Sequence, residues 1–387
     1  MRRLLSARRE KNTEDFIMSF AVLTDTSGNL LNQEIRDYGL HVIPFTYIYD
    51  GQDHTCIDTD SFDAEDFYAR IKRGLQVTTS QISPQQYMDF FEPYLKAGQD
   101  VIYVAMSSGI SGSCNSARIG ADMLREAYPE RIIAVIDTRG AALGEGIIAL
   151  RAAELRDLDV PTAAAVEILE EHVEKMFNVF TVDDLMHLRR GGRLSNLSAI
   201  VGTVLNIKPL LKGNEEGRIV AFGKLRGRKK SIEALGAIYD KLVVNPEEQI
   251  VGVVHAACRE DADYLIELLN RNRPPKQILL ADYEPVTGCH VGPGALALFF
   301  ESEEGVRSYG NEGITGGLKE AMKVGENALK GLTGSETFKK TGKLLSENAR
   351  KALETARKAR ESAVRAGGNA AASLTEKLRE LRDKEDK

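Results

Sequence analysis

The sequence predicts an α/β fold: two sheet-bearing domains followed by a charged helical tail. Two observations carry this. Short apolar runs alternate with helical patterns from Phe20 to about residue 304, and three of the early runs end in hydroxyl or carboxylate side chains, as strands do at the open end of a parallel sheet. The 387 residues are 43% hydrophobic and 28% charged with net charge −6, which excludes disordered and fibrous classes. At about 150 residues per domain the chain has room for two domains and a remainder. It lacks any run of about 18 apolar residues, so no transmembrane helix is expected.

Met1-Arg-Arg-Leu-Leu is basic but leads into no apolar stretch, so it does not read as a signal peptide. Met18 stands immediately before the first strand, and residues 1–17 are expected to be a disordered extension or to precede the true start. Cys56, Cys114, Cys258 and Cys289 form no C-x-x-C pair and read as reduced, buried or half-buried thiols of a cytoplasmic protein.

In order, Ala21 to Thr26 reads as a strand with a polar end, and His41 to Tyr49 as a second β-rich run stopped by Asp50-Gly51. Ser83-Pro84 starts a helix, because Ser caps free N–H groups and Pro at the first position needs none. Tyr87, Phe90, Phe91, Tyr94 and Leu95 share one face of it. Val101 to Ala105 is a buried strand, followed by Ser107-Ser108-Gly109-Ile110-Ser111-Gly112 and a helix through Ala117 and Leu124. Ile132 to Thr138 repeats the unit, with a helix to about Leu155. This first domain, residues 18–160, is expected to hold a mostly parallel sheet with helices on both faces.

The second domain, residues 161–304, opens with a helix of roughly 165–175, a strand at Phe177–Thr181, and a helix halting at Gly191-Gly192. Ile207 to Leu211, the turn Gly213 to Gly217, and Ile219 to Phe222 form a hairpin. Gln249 to His255, a helix near 259–270, Ile278 to Ala281 and Ala295 to Phe300 complete a second α/β layer. In the remainder, 305–387, residues 338–365 hold nine Lys/Arg against three Glu. Leu345, Ala349, Ala352, Leu353, Ala356, Ala359 and Ala363 fall on one helical face there, an amphipathic helix whose Ala-rich stripe is a weak membrane anchor by itself.

Four stretches carry chemistry. Thr78-Thr79-Ser80-Gln81 sets hydroxyls just before the Ser83 helix start, where a carboxylate or phosphate could sit, although capping alone would account for Ser83. Ser107 to Ser113 is a strand-to-helix turn whose glycines allow backbone to approach a ligand. Leu188 to Arg193 ends a helix in two glycines and clusters three guanidinium groups, of which Arg189 and Arg190 fit a dipole-complementing role. Thr287 to Gly294 reads as a Gly-rich loop presenting Cys289 and a comparatively exposed His290. Neither G-x-G-x-x-G after a strand nor G-x-x-x-x-G-K-[ST] occurs, and no Cys/His spacing suits a metal. Nucleic-acid binding ranks low, since the basic string Lys224 to Lys230 lacks interleaved aromatics and the core is acidic.

Taken in order, these stretches resemble the DegV family of bacterial fatty-acid-binding proteins across about residues 18–303. The resemblance rests on Thr24-Asp25-Thr26, Val42-Ile-Pro44, Asp50-Gly51, Thr79-Ser80-Gln81-Ile-Ser83-Pro84, Ser107-Ser108-Gly109, Val135-Ile-Asp137-Thr138, Gly191-Gly192-Arg193-Leu-Ser195, Leu205-Asn206-Ile-Lys208-Pro209, Lys224 to Lys230, and His290-Val-Gly292-Pro293-Gly294. It implies two α/β domains with a long-chain fatty acid in a tunnel between them and its carboxylate at the domain junction. Carried across, the head-group residues are Thr79, Ser108 with Ser107 beside it, and His290; Arg193 belongs to the same site. The resemblance further implies a carrier without enzymatic activity or cofactor, which presents its ligand to a separate ATP-dependent kinase for acyl-phosphate formation and phospholipid synthesis. Thr26, Ile82 and Cys289 depart from the family's usual residues. The tail has no counterpart in the family, and its basic helix is expected to dock on anionic membrane or an acidic partner. The rival expectation is a serine hydrolase or acyltransferase using Ser108 and His290, against which stands the absence of G-x-S-x-G.

Overall fold

A computed structural model of the chain describes residues 20–194 and 206–310. The expectations for residues 1–17 and their start codon, for Ser195 and Leu205, and for the amphipathic helix of 338–365 lie outside the described residues.

Strand β1 (Phe20–Asp25) is buried at every position, because it lies inside a parallel sheet covered on both faces. Its neighbours are β2 (His41–Ile43) and β6 (Asp100–Ala105), and β6 pairs in turn with β7 (Ile133–Asp137), giving the order β2-β1-β6-β7. Alternation along the strands divides the core. Phe20, Val22, Ile102, Val104 and Ile136 point to one face. Ala21, Leu23, Val101, Tyr103 and Ile133 point to the other, where α3 (Pro84–Lys96) and α4 (Ser113–Ala127) supply Tyr87, Phe91, Leu95, Ala117 and Leu124. The helix start read from Ser83-Pro84 is present as a complete capping box with Gln86, so that N-terminus satisfies itself.

The β-rich run of residues 41–49 is two strands, not one. Pro44 has no N–H to continue the ladder, and the Phe45 N–H turns aside to the Thr26 hydroxyl at 3.1 Å. After this break β3 (Thr46–Tyr49) leaves the parallel sheet and pairs antiparallel with β4 (Gln52–His54) and β5 (Thr78–Ser80). Two further helices complete this half, α1 (Asn32–Asp37) and α2 (Ala64–Lys72).

The second sheet has six strands in the order β10-β9-β8-β13-β11-β12, antiparallel except for β11 with β12. Its strands are β8 (Met176–Thr181), β9 (Ile207–Gly213), β10 (Ile219–Arg226), β11 (Ile250–His255), β12 (Gln277–Asp282) and β13 (Leu296–Glu301). One face carries Phe177, Val179, Leu210, Val253 and Phe300 onto α8 (Arg228–Leu242) and α9 (Arg259–Asn272). The opposite face carries Phe180, Leu211, Val254, Ala297 and Phe299 into the same cluster as the inner face of the first sheet.

Helix α5 (Leu143–Asp157) makes that joint cluster possible. Twelve of its fifteen residues are buried, and it packs against β1 and β6 of one sheet and β8, β11 and β13 of the other. A helix buried all round lacks a polar face, which is the pattern of Gly144-Glu-Gly-Ile-Ile-Ala-Leu. Beside it runs α6 (Thr162–Lys175). The chain does not leave this fold at Glu304. Arg307 is buried and donates to the carbonyls of Arg139 (2.7 Å), Val173 (2.9 Å) and Thr138 (3.1 Å), while buried Lys212 donates to those of Arg307 (2.5 Å) and Tyr309 (2.6 Å).

Two buried acids meet between β1 and α5. Ser27 Oγ is 2.5 Å from Asp25 Oδ1 and 2.8 Å from Glu145 Oε2, and Tyr103 donates to Asp25 Oδ2 at 2.6 Å. A hydroxyl has one hydrogen, so Ser27 can donate to Asp25 while accepting from a protonated Glu145. Burial, reinforced by the neighbouring Asp25 charge, holds the Glu145 carboxyl well above the ordinary carboxylate range; burial also raises Asp25.

Two predictions follow from this core. Ile148→Ala, at a fully buried position on α5, should cost about 2–5 kcal/mol in urea denaturation; a loss below about 1 kcal/mol would contradict a core shared by both sheets. A raised Glu145 contributes stability that is complete below its ordinary value near 4.5 and is lost as pH rises through its folded value. Glu145→Gln cannot ionise, so its stability difference between about pH 5 and about pH 8 should be smaller than that of the unsubstituted chain. Equal pH dependence would remove the protonated-Glu145 account.

Candidate functional site

The ends of β6 and β7 open toward the second sheet, and an apolar cavity lies there. About 110 Å³ of it is open to the centre of a water-sized sphere. Phe45, Met106, Ile110 and Ala141–Ala142 line it from the first half, and Phe180, Ile219 and Phe299 from the second. An apolar cleft with few polar groups, at the carboxyl ends of parallel strands, has the form of a binding site.

Its walls depend on a contact between the halves. The Ser107–Gly109 turn after β6 meets the tip of the β9–β10 hairpin: Ser107 Oγ donates to the Gly217 carbonyl at 2.8 Å and accepts from the Gly109 N–H at 3.1 Å. A Cβ on Gly109 would come within 2.4 Å of the Glu216 carbonyl oxygen, and one on Gly217, whose φ is +69°, within 2.1 Å of Ser107 Oγ. Of the two glycines expected to admit a ligand, Gly109 therefore admits the hairpin tip, and Gly112 admits the Gln81 side chain, 2.5 Å from where a Cβ would stand. Across the turn from β7, Arg139 and Ala142 adopt positive φ, a conformation costing about 1–3 kcal/mol per residue. The three carbonyl bonds of Arg307 and the Ser107 N–H to Gly140 carbonyl bond (2.8 Å) hold this turn in place.

The mouth is built by α7 (Met186–Arg190) and α10 (Pro285–Val291). Thr287 to Val291 is helical, contrary to the loop expected there; only Gly292-Pro293-Gly294 continues outside the helix. Glu284 caps it, accepting from Val286 N at 2.7 Å and Thr287 N at 2.5 Å, and Pro285 takes the first helical position. Glu284-Pro285 was the legible signal, outweighed by the glycines that follow. Burial pushes Glu284 up to about 7.

His290 is half-buried, less exposed than its glycines suggested, because those glycines pack helix on helix. Gly191, at the end of α7, would set a Cβ 2.6 Å from His290 Nδ1, and Gly292 one 2.3 Å from the His187 ring. Burial, with the Arg193 charge adding to it, pushes His290 down to about 4, so it is neutral near pH 7. His290 Nε2 lies 3.0 Å from Thr79 Oγ1 on β5. Thr79 reaches this point because β5 pairs with β3, Tyr47 opposite Thr79, and not because a helix follows it. Arg193 completes the group, donating through Nη1 to the Gly191 carbonyl and through Nε to that of Ile110 at 3.4 Å.

Thr79, His290 and Arg193 line the apolar cavity and also a second, polar cleft bounded by Asp183, Asp184, His187 and Arg190. They stand between an apolar interior and a polar exterior. Ser107 is not among the lining residues: it is fully buried and engaged with the hairpin. Ser108 is exposed, with its N–H donating to Asp137 Oδ1 at 3.1 Å. His290 pairs with Thr79 and not with Ser108, and a histidine pushed down to about 4 is a poor general base at neutral pH. The hydrolase arrangement is not assembled.

Among the lining residues that sequence reasoning missed are the polar Arg139, Asn178 and Tyr283. For Asn178 the available signal was a lone amide within the apolar strand Met176-Phe-Asn-Val-Phe-Thr181. Among the described residues no group of His, Cys, Asp and Glu is placed to hold a metal, and no helix is long and apolar enough to cross a membrane. The cysteines are buried at 56 and 114 and half-buried at 258 and 289.

Residues 19–303 match the family described as "Uncharacterised protein, DegV family". The chain is similar to a DegV domain-containing protein of Clostridium perfringens, 35% identical over 285 residues that cover 73% of this chain and 97% of the relative. Among solved structures it is similar to DegV of Bacillus subtilis, described as a fatty acid binding protein, with TM-score 0.65, 30% identity, and coverage of 74% of this chain and 100% of the other. It is also similar to a DegV family protein of Ruminococcus gnavus described with vaccenic acid, with TM-score 0.65, 27% identity, and coverage of 73% and 99%. A family match over most of the chain and a fold shared with these structures agree with the parallel sheet, the second mixed sheet and the cavity between them: the chain belongs to the DegV family.

Proposed function

We propose that the chain binds one long-chain fatty acid, its acyl tail in the apolar cavity and its carboxylate at Thr79, His290 and Arg193. The observation that carries this reading is that these three residues line both the apolar cavity and the polar cleft. The fatty-acid descriptions of the Bacillus and Ruminococcus structures support it.

Affinity comes from the tail, at about 0.8 kcal/mol for each buried methylene. Orientation comes from the head. With its proton on Nε2, neutral His290 can direct one N–H at a carboxylate while Thr79 turns its hydroxyl to the same ligand, and Arg193 adds a charge-assisted donor. In this proposal Ser107 holds the hairpin tip that walls the cavity, and Ser108 has no part in holding the carboxylate. Residues 18–160 and 161–304 serve as its two walls.

The same reading makes the protein a cytoplasmic carrier without activity of its own. Its carboxylate-bearing cleft would face a separate ATP-dependent kinase that forms the acyl phosphate for phospholipid synthesis. The basic segment 338–365 would add a contact with anionic membrane, supported by its nine Lys/Arg against three Glu.

Calorimetric titration of the delipidated chain with stearic acid tests the head-group site. Thr79→Val and Arg193→Gln should each weaken binding by about tenfold or more, as loss of a hydrogen bond to a charged group does; unchanged affinity in both would refute the assignment. Vesicle flotation tests the tail. Neutralising Lys339, Lys340, Lys343, Arg350 and Lys351 to Gln in the full chain should abolish binding to anionic vesicles, and a variant that floats as before would exclude the membrane contact.

A further inference from the structure

The family match ends at residue 303, yet the described chain continues to 310 and sets a fully buried side chain there. Arg307, 1% exposed, directs its guanidinium at three backbone carbonyls: Nη1 at that of Arg139, and Nη2 at those of Thr138 and of Val173 on α6. Thr138 and Arg139 are consecutive residues of the turn after β7, so one planar, many-donor group grips this turn and ties it to α6. The segment that carries Arg307 is seated by its own contacts. Val306 joins the cluster under α8 and α9, Tyr309 meets Phe177 and Phe222 edge-on, and Lys212 of β9 donates to the carbonyls of Arg307 and Tyr309.

The turn that Arg307 grips is a wall of the apolar cavity. Arg139, Gly140, Ala141 and Ala142 line the cavity in succession, whereas Arg307 is not among its lining residues. Arg139 and Ala142 stand at φ +48° and +53°, a region that residues with side chains keep only where the surroundings fix them in it. Releasing the carbonyls of Thr138 and Arg139 would let both relax, and the wall would move with them. Gly213, which lines the cavity from the second half, lies against the same guanidinium, since a Cβ on it would stand 3.5 Å from Arg307 Nη1. Arg307 thus backs the wall on both halves without touching what the cavity holds.

We propose that Arg307 is a positioning residue for the ligand: acting through the Thr138–Ala142 turn, it makes fatty-acid affinity depend on the segment 305–310. This rests on the fatty-acid reading of the cavity. The dependence runs both ways, because two equilibria coupled through one element shift each other by the same factor. A ligand that needs the wall in place holds the segment down, and loosening the segment loosens the ligand. The rest of the charged extension begins where this segment ends, so its root is the point that responds to the ligand.

Calorimetry and hydrogen exchange on the full, delipidated chain test this. Arg307→Gln, uncharged and with a single amide nitrogen, should weaken stearic acid binding about tenfold or more, and Arg307→Lys, which keeps the charge, should recover part of that loss. Ile238→Ala, buried on α8 in the cluster on the other face of the second sheet, should lower stability and leave affinity unchanged. In the unsubstituted chain stearic acid should slow exchange across 305–310 about fivefold or more. It should leave residues 245–249, which neither line the cavity nor bond to Arg307, as they were. Should Arg307→Gln fail to fold, the exchange measurement decides. The inference is overturned if the folded Arg307 variants bind as tightly as the unsubstituted chain, if Ile238→Ala costs as much affinity as they do, or if 305–310 exchanges alike with and without ligand. A chain that binds no stearic acid would instead overturn the fatty-acid reading on which the inference rests.

Discussion

The first two turns of helix α5, residues 143–150, bury side chains on every face, so they persist only with a sheet on each side. This requirement sets the rest of the structure. It ties the parallel sheet and the mixed sheet to one cluster of buried side chains, from Phe20 and Val104 on one side to Val254 and Phe299 on the other. It also brings the turn at the start of α5, with Arg139 and Ala142 at positive φ, to the place where the sheets part and the cavity begins. A ligand seated there touches both halves, so binding and the packing of the halves draw on the same surfaces.

The polar groups of the molecule sort by whether the protein itself satisfies them. Asp25, Glu145, Ser27 and Tyr103 complete one another inside the first half, where burial raises both carboxyls. Lys212 and Arg307 direct their charges at backbone carbonyls: Lys212 fastens residues 305–310 to the second sheet, and Arg307 fastens them to the turn after β7 and to α6. Thr79, His290 and Arg193 lie between an apolar and a polar cleft, and Asn178 is among the residues lining the apolar one.

Much of the fold was legible in the sequence because burial leaves a periodic trace. The apolar runs at Val101–Ala105 and Ile133–Asp137, the Ser83-Pro84 cap and the 207–226 hairpin stand where the pattern put them. What escaped was set by tertiary contact. Pro44 divided a run that looked continuous, and the short β5 exists only because β3 is there to pair with it. At the site, residue types were legible and their surroundings were not. Gly109 read as ligand-admitting, Gly191 as a helix end, Gly217 as part of a turn and Gly292 as part of a loop, yet each makes space for another part of the chain. The fall of His290 to about 4 depends on that packing, and no spacing rule predicts it. Asn178 was hidden by its own strand, since a lone amide in an apolar run carries no periodic signature.

The central claim is that the cavity between the sheets holds one fatty acid. Native mass spectrometry of the purified full chain, followed by organic extraction and identification of what is released, tests it most directly. The account predicts a single long-chain fatty acid bound one to one, released on denaturation and taken up again by the delipidated protein. A chain that arrives empty and refuses every added long-chain fatty acid would contradict it, and would leave the DegV match as a statement of fold alone.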